Sequence, residues 1–198
     1  MISPNTNEPP GTWRRAISDA GEARNFIYAA IAVFLVGAIL GGAYSERFSS
    51  MLQSFKELAK GFSGQSIPVL ILLIFLRNSF AAFLSVWLGI LLGLVPLLGA
   101  LSNGILVGLV IKTGAGEGSS VLGVIALLLP HGIFEFPAIF LAWGIGLWRG
   151  AWPFRHNKEE TYRERAHKAY RVFLVLVLPL LLVAAVIEGL LIGLTPHP

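Results

Sequence analysis

Residues 26–44 read FIYAAIAVFLVGAILGGAY, nineteen residues without a charge. At 1.5 Å per residue a helix of that length covers about 28 Å, enough to cross the hydrocarbon of a bilayer. The pattern repeats outward along the chain. Residues 67–92, 97–111, 121–148 and 172–194 are further apolar runs. The 198-residue chain is 55% hydrophobic and 13% charged, with a mean hydropathy of +0.73. A soluble domain carries nearer 25% charge. The fold class this implies is all-α: a polytopic transmembrane helix bundle of about five spans, forming one domain over residues 26–194.

The segments between the spans have characters of their own. Residues 1–25 are polar and form a cytoplasmic N-terminal segment, with a Pro- and Asn-rich disordered stretch to Gly11 and a short surface helix over 12–25. Residues 49–62 are amphipathic: Met51, Leu52, Phe55, Leu58 and Phe62 share a stripe, and Gln53, Lys56, Glu57 and Lys60 face away. That pattern predicts a helix lying in the membrane interface, or one packed on the bundle. Pro96 marks the turn into the third span, and residues 112–120 form a Gly-rich loop. Residues 149–171 predict a charged cytoplasmic helix between spans four and five. Asn157 and Glu160 have capping-box spacing, and Glu159/Arg163 and Glu164/Lys168 are i,i+4 pairs.

The fourth span contains Pro130-His131-Gly132-Ile133-Phe134-Glu135. Pro130, Gly132 and Pro137 predict a helix broken or bent near Pro130 and again near Pro137. His131 and Glu135 are four apart and share a helix face. Three formal charges fall within spans: Arg77, Glu135 and Glu188. Each costs about 2.5–3.5 kcal/mol at the bilayer centre, against about 0.3–0.6 kcal/mol returned per apolar residue. Such residues mark functional sites by default. Arg77 and His131 each lie ten residues into their spans from the same side, and Glu188 enters from the other. The expectation is an intramembrane polar cluster of Arg77, Asn78, Asn103, His131, Glu135 and Glu188. Three chemistries fit it: a structural ion pair, a divalent metal held by His131, Glu135 and Glu188, or an ion or proton pathway.

The basic residues set a direction. With the N-terminus inside, the inner segments hold Arg14, Arg15, Arg24, Arg149, Arg155, Lys158, Arg163, Arg165, Lys168 and Arg171, and the outer ones hold Arg47, Lys56, Lys60 and Lys112. Ten against four predicts a multi-pass protein of the cell membrane with its N-terminus in the cytoplasm and its C-terminus outside. The net charge of +4 therefore points to orientation and anionic lipid, not to nucleic acid. No cleavable signal is evident, and the absence of cysteine excludes thiolate chemistry. Walker, nucleophile-elbow, zincin and dinucleotide motifs are also missing, so neither an enzyme nor a bound cofactor is expected. His156, His167 and His197 read as solvated. Small residues recur at helical spacing in Gly37/Gly41, Gly104/Gly108, Gly189/Gly193 and the stripe Asn78, Ala82, Ser85, Gly89, Gly93. Such faces suit close packing within the bundle or a homodimer.

The order of the polar residues resembles the stage II sporulation protein M family of integral membrane proteins. The matching features are Asn78 in the second span, Asn103-Gly104 in the third, Leu129-Pro130-His131-Gly132 with Glu135 in the fourth, and Ala184-Ala185 with Glu188 in the fifth. Phe136 stands where that pattern has an aliphatic residue. The resemblance implies a five- or six-span membrane protein similar to a scaffold, which recruits other membrane or envelope proteins. A transporter or channel component using Arg77, His131, Glu135 and Glu188 is the alternative, and an intramembrane metal-dependent hydrolase the second.

Overall fold

The computed structural model describes residues 12–60, 64–116, 118, 120–154 and 160–194. Among these there is no strand. Eight α-helices follow one another: α1 (Thr12–Glu22), α2 (Arg24–Ala43), α3 (Ser49–Lys60), α4 (Ile67–Trp87), α5 (Leu94–Gly116), α6 (Val121–Gly150), α7 (Tyr162–Val172) and α8 (Leu178–Leu194). Four helices are long and apolar enough to cross a membrane, and the bent α6 makes five. The expectations placed on residues 1–11, Phe62, His156, Asn157, Glu159 and His197 lie outside the described residues, as does the side chain of His131.

Several boundaries differ from the sequence reading, each for a physical reason. Pro96 does not make the turn into α5. It is buried in the first turn of that helix, and the chain reverses earlier, at Leu92 and Gly93, both with positive φ. Proline is tolerated in a first turn because its missing N–H would have no partner there. The α5 helix then runs to Gly116 instead of stopping at Ile111, so half of the expected Gly-rich loop is helical. Away from water the backbone must bond to itself, and two glycines are too weak a stop to prevent it. The cap expected at Asn157 lies outside the described residues; the α7 helix begins at a cap of its own. Thr161 and Glu164 form the capping box, with the Thr161 N–H donating to Glu164 Oε2 at 2.7 Å and the Glu164 N–H donating to Thr161 Oγ1 at 3.2 Å.

The α6 helix bends once, by 75°, between Val121–Pro130 and Gly132–Gly150. The second break expected near Pro137 is not there; Pro137 lies inside the second segment. One proline deletes one backbone bond, and the fully buried Ala138 and Ala142 hold this stretch in the core. The α7 helix passes through a five-residue π segment, Phe173–Val177, into α8. Together they make a helix of 33 residues, Tyr162–Leu194. At about 50 Å it exceeds the hydrocarbon thickness, so its polar first third stands clear of the membrane.

The bundle is built inside out relative to a soluble protein. Its core is rich in alanine, with Ala30, Ala82, Ala100, Ala138, Ala142, Ala184 and Ala185 almost fully buried, while Tyr28, Ile39, Leu72, Phe80, Leu122 and Leu182 are exposed. Lipid offers no penalty for that surface, and small residues let backbones close up. The α2 and α5 helices cross through their glycines: a Cβ on Gly41 would overlap the Ile105 carbonyl, and one on Gly104 the Phe34 carbonyl. Gly89 faces Gly146, and Gly189 and Gly193 take Ile71 and Ile67 of α4. All four small-residue faces are thus filled within one chain and are not available to a second copy.

These contacts fix which ends lie together. Ile27 at the start of α2 sits on Gly144 of α6, Gly93 at the start of α5 meets Gly150, and α1 packs on α7. This is the basic end. At the opposite end, Val124 of α6 covers Gly114 of α5, and the start of α4 meets the end of α8.

Candidate functional site: a polar cavity at mid-depth

Arg77 is the middle residue of α4, ten residues from either end. Asn78 follows it, Asn103 lies near the middle of α5, and Glu135 and Glu188 come from α6 and α8. The five side chains line one cavity of about 250 Å³. Leu128 and Glu135, on either side of the α6 bend, both line it, so the cavity lies at the elbow. A straight α6 would continue along the bundle; the bend turns its first segment aside and leaves space between α4, α5 and α8.

The cavity has polar walls with internal order. Asn78 Nδ2 donates to Glu135 Oε1 at 3.2 Å. Asn103 Nδ2 donates to the Gly99 carbonyl at 3.0 Å. Glu135 is within electrostatic reach of both Glu188 and Arg77. Arg77 and Asn103 are exposed, so the cavity is open at its rim. Toward the basic end it is closed by aromatic rings. Phe34 packs edge-on against Phe136 and Phe140, with centroids 5.6 and 5.2 Å away, and Trp143 lies beyond them. The unusual Phe136 is therefore part of the cavity wall.

Of the six cluster residues expected from sequence, five come together. The sixth, His131, lies at the bend. Among the described residues no three His, Asp or Glu side chains are placed to hold a metal ion.

A second polar network, at the basic end, was not anticipated as a unit. Arg165 is fully buried. Its Nη1 donates to the Trp148 carbonyl at 2.9 Å, its Nε lies 3.2 Å from Glu160 Oε2, and its guanidinium stacks 4.3 Å from the Trp148 ring. Arg149 is 6% exposed and donates to the Val86 and Trp87 carbonyls at 2.9 and 3.2 Å. Each arginine satisfies carbonyls at a helix C-terminus, Arg165 for α6 and Arg149 for α4, where the backbone has no partner of its own and the dipole favours a cation. Asp19 of α1 binds Arg171 at 2.7 Å, and Lys168 bridges Glu22 and Glu160 at 2.7 and 3.0 Å. The i,i+4 attraction expected between Glu164 and Lys168 acts as a charge interaction beside these longer links. Burial lowers the Lys168 pKa, but hydrogen bonds and charge from Glu22 and Glu160 outweigh it and hold the ammonium above its ordinary value. Glu164 is held below the ordinary carboxylate value by hydrogen bonds from Thr161, the backbone N–H first. The sequence signal for this network was weak: Arg149 in the last turn of a span, and a charge run around Arg165.

No curated protein and no solved structure matches the chain. A protein family does: the one described as Stage II sporulation protein M matches residues 30–191, from α2 almost to the end of α8.

Proposed function

Because the chain belongs to the stage II sporulation protein M family, we propose that it is a membrane scaffold that holds other membrane or envelope proteins in place and catalyses no reaction itself. One observation supports this most. The helix faces that bind closely are filled inside the chain, giving a stiff body, while α3 stands at the end opposite the charged network with Gln53, Ser54 and Glu57 exposed and Met51 and Leu52 half-buried. An amphipathic helix so placed lies along the membrane surface and presents its polar side to a partner. In this reading the basic end faces the cytoplasm and α3 faces outward, at the cell membrane. A second copy of the chain is an allowed partner, through faces other than the four small ones.

The test is site-specific photocrosslinking in cells. A crosslinker at Gln53 should give a discrete protein adduct, one at the lipid-facing Ile39 should give none, and Glu135→Gln should leave the Gln53 adduct intact. Adducts absent from Gln53, or equal at both positions, would defeat the scaffold reading.

The cavity favours a second reading, a transporter or channel component. Ionisable groups at mid-depth beside a bent helix are the arrangement in which carriers bind their ions. Flux of a labelled ion into vesicles, lost in Glu135→Gln, would support it.

A further inference from the structure

The turn between α4 and α5 carries no polar side chain. Residues 86–101 read VWLGILLGLVPLLGAL, sixteen in a row without a charge, hydroxyl or amide. The other joints at this end of the bundle are different. Arg24 opens α2, and residues 155–160, between α6 and α7, read RHNKEE. In the turn, Ile90, Leu91, Leu92 and Leu94 are each more than half exposed. Leu92 stands at φ 55°, a left-handed conformation that glycine takes freely and leucine does not. Leucine there puts an apolar side chain at the tip at a conformational cost. Exposed apolar side chains continue along α4 through Phe83 and Phe80 and along α5 through Leu97 and Leu98. A continuous apolar surface of this kind is a liability in water and carries no penalty in lipid.

A turn can sit in lipid only if its backbone is bonded within the protein. The α4–α5 turn is bonded in this way. The N–H groups of Leu91, Gly93 and Leu94 donate to the carbonyls of Leu88, Gly89 and Leu91 at 2.9, 2.8 and 3.1 Å. The Val86 and Trp87 carbonyls lie in the last turn of α4, where water is an ordinary donor. Here they take Arg149 Nη1 at 2.9 and 3.2 Å. Arg149 reaches them from α6, buried beside the rings of Tyr162 and Tyr170 at 5.1 and 5.4 Å. Gly89 lies against Gly146 and Gly93 against Gly150, so the tip stands level with the last turn of α6.

We propose that the α4–α5 turn is a lipid-binding surface. Ile90, Leu91 and Leu92 stay among the acyl chains of the leaflet at the basic end, and Arg149 allows this by bonding the α4 carbonyls in place of water. Such a surface serves a scaffold and a carrier alike, since it fixes the height of the basic end in the bilayer.

The chain has no cysteine, so a nitroxide can be placed at one position at a time. The full chain is reconstituted into vesicles of phosphatidylcholine and phosphatidylglycerol. Labels at Leu91→Cys, at the lipid-facing Ile39→Cys and at the exposed Arg163→Cys are compared by power saturation. Oxygen concentrates in hydrocarbon, and a nickel chelate stays in water. At Leu91, oxygen should relax the label as strongly as at Ile39, and the nickel effect seen at Arg163 should be lost. Nickel relaxation at Leu91 equal to that at Arg163 would put the turn in water and overturn the proposal. So would exclusion of both reagents, because a second copy of the chain would then cover the turn. Arg149→Ala removes the donor to Val86 and Trp87 and should restore nickel access at Leu91, as the freed carbonyls recruit water. Arg149→Lys, with a single ammonium for two carbonyls, should restore it in part. Nickel access unchanged in both variants would overturn the role given to Arg149, and if Arg149→Ala fails to fold the lysine variant decides that step.

Discussion

The basic end and the mid-depth cavity both hold charged side chains among apolar helices, yet they are built on opposite principles. At the basic end the charged side chains are tied to named partners. Arg165 meets Glu160 and the Trp148 carbonyl, Arg149 meets two carbonyls of the α4 terminus, Arg171 meets Asp19, and Lys168 meets two glutamates. In the cavity, Arg77, Glu135 and Glu188 line a space whose walls are open at the rim. A tied network of this kind fixes geometry; a polar cavity open at its rim leaves room for a ligand. The difference teaches that intramembrane charge by itself does not identify a site, whereas charged side chains around an open cavity point to one.

Breaking the closed network should have the largest effect. Arg165→Ala removes a fully buried guanidinium, takes a donor from the Trp148 carbonyl and leaves Glu160 to Lys168. Breaking one side of a buried pair costs about 3–5 kcal/mol, which lowers the unfolding temperature by on the order of 10 °C. Arg165→Lys should recover only part of it, because an ammonium cannot reach both oxygens and stack on the ring. If Arg165→Ala unfolds with wild-type, the basic end is not what holds the bundle.

Overpacking the glycine crossing comes next. Gly41→Leu has no room against the Ile105 carbonyl, and core overpacking costs about 1–3 kcal/mol. The measurement is protease resistance on heating, with Gly21→Leu as control, since a Cβ there meets nothing within 4 Å.

A smaller and more local effect is expected from Asp19→Asn. The carboxylate is 6% exposed as a residue and bonds Arg171. Its loss should cost about 1–3 kcal/mol, read as faster amide exchange in α1 with α5 unchanged. Uniform acceleration across the bundle would show that α1 is not a separate lock on α7.

The smallest effect concerns pH. The Glu164 carboxyl is held below its ordinary value of 4.5 by the Thr161 hydrogen bonds. Its contribution is therefore present above that value and lost as pH falls through the lowered one. Amide exchange in the first turn of α7 should accelerate on acidification, and Thr161→Val should remove the dependence. Lys168 has the opposite sign: its pairs contribute below 10.5 and are lost only as pH rises beyond it.

Much of this architecture was legible from the residues. Uninterrupted apolar length marked the spans, Pro130 marked the bend, and depth counted along the spans put Arg77 and Glu188 near one level, where they line one cavity with Asn78, Asn103 and Glu135. What was not legible depends on contacts between distant segments. Pro137 looks like Pro130 in sequence, but only Pro130 lies where the helix is free to turn aside. Glu160 is drawn across to Arg165 and Lys168, links that no local spacing shows. Nothing in a charge run reveals that Arg149 and Arg165 reach back to carbonyls at the ends of α4 and α6. The small-residue stripes showed that helices pack closely but not against which partner.

The most direct test of the contrast is one thermal unfolding experiment on Glu135→Gln and Arg165→Ala beside wild-type. Glu135→Gln is expected to unfold within a few degrees of wild-type, while Arg165→Ala falls by on the order of 10 °C. A Glu135→Gln variant that falls by as much as Arg165→Ala would make the cavity another structural network and contradict the account.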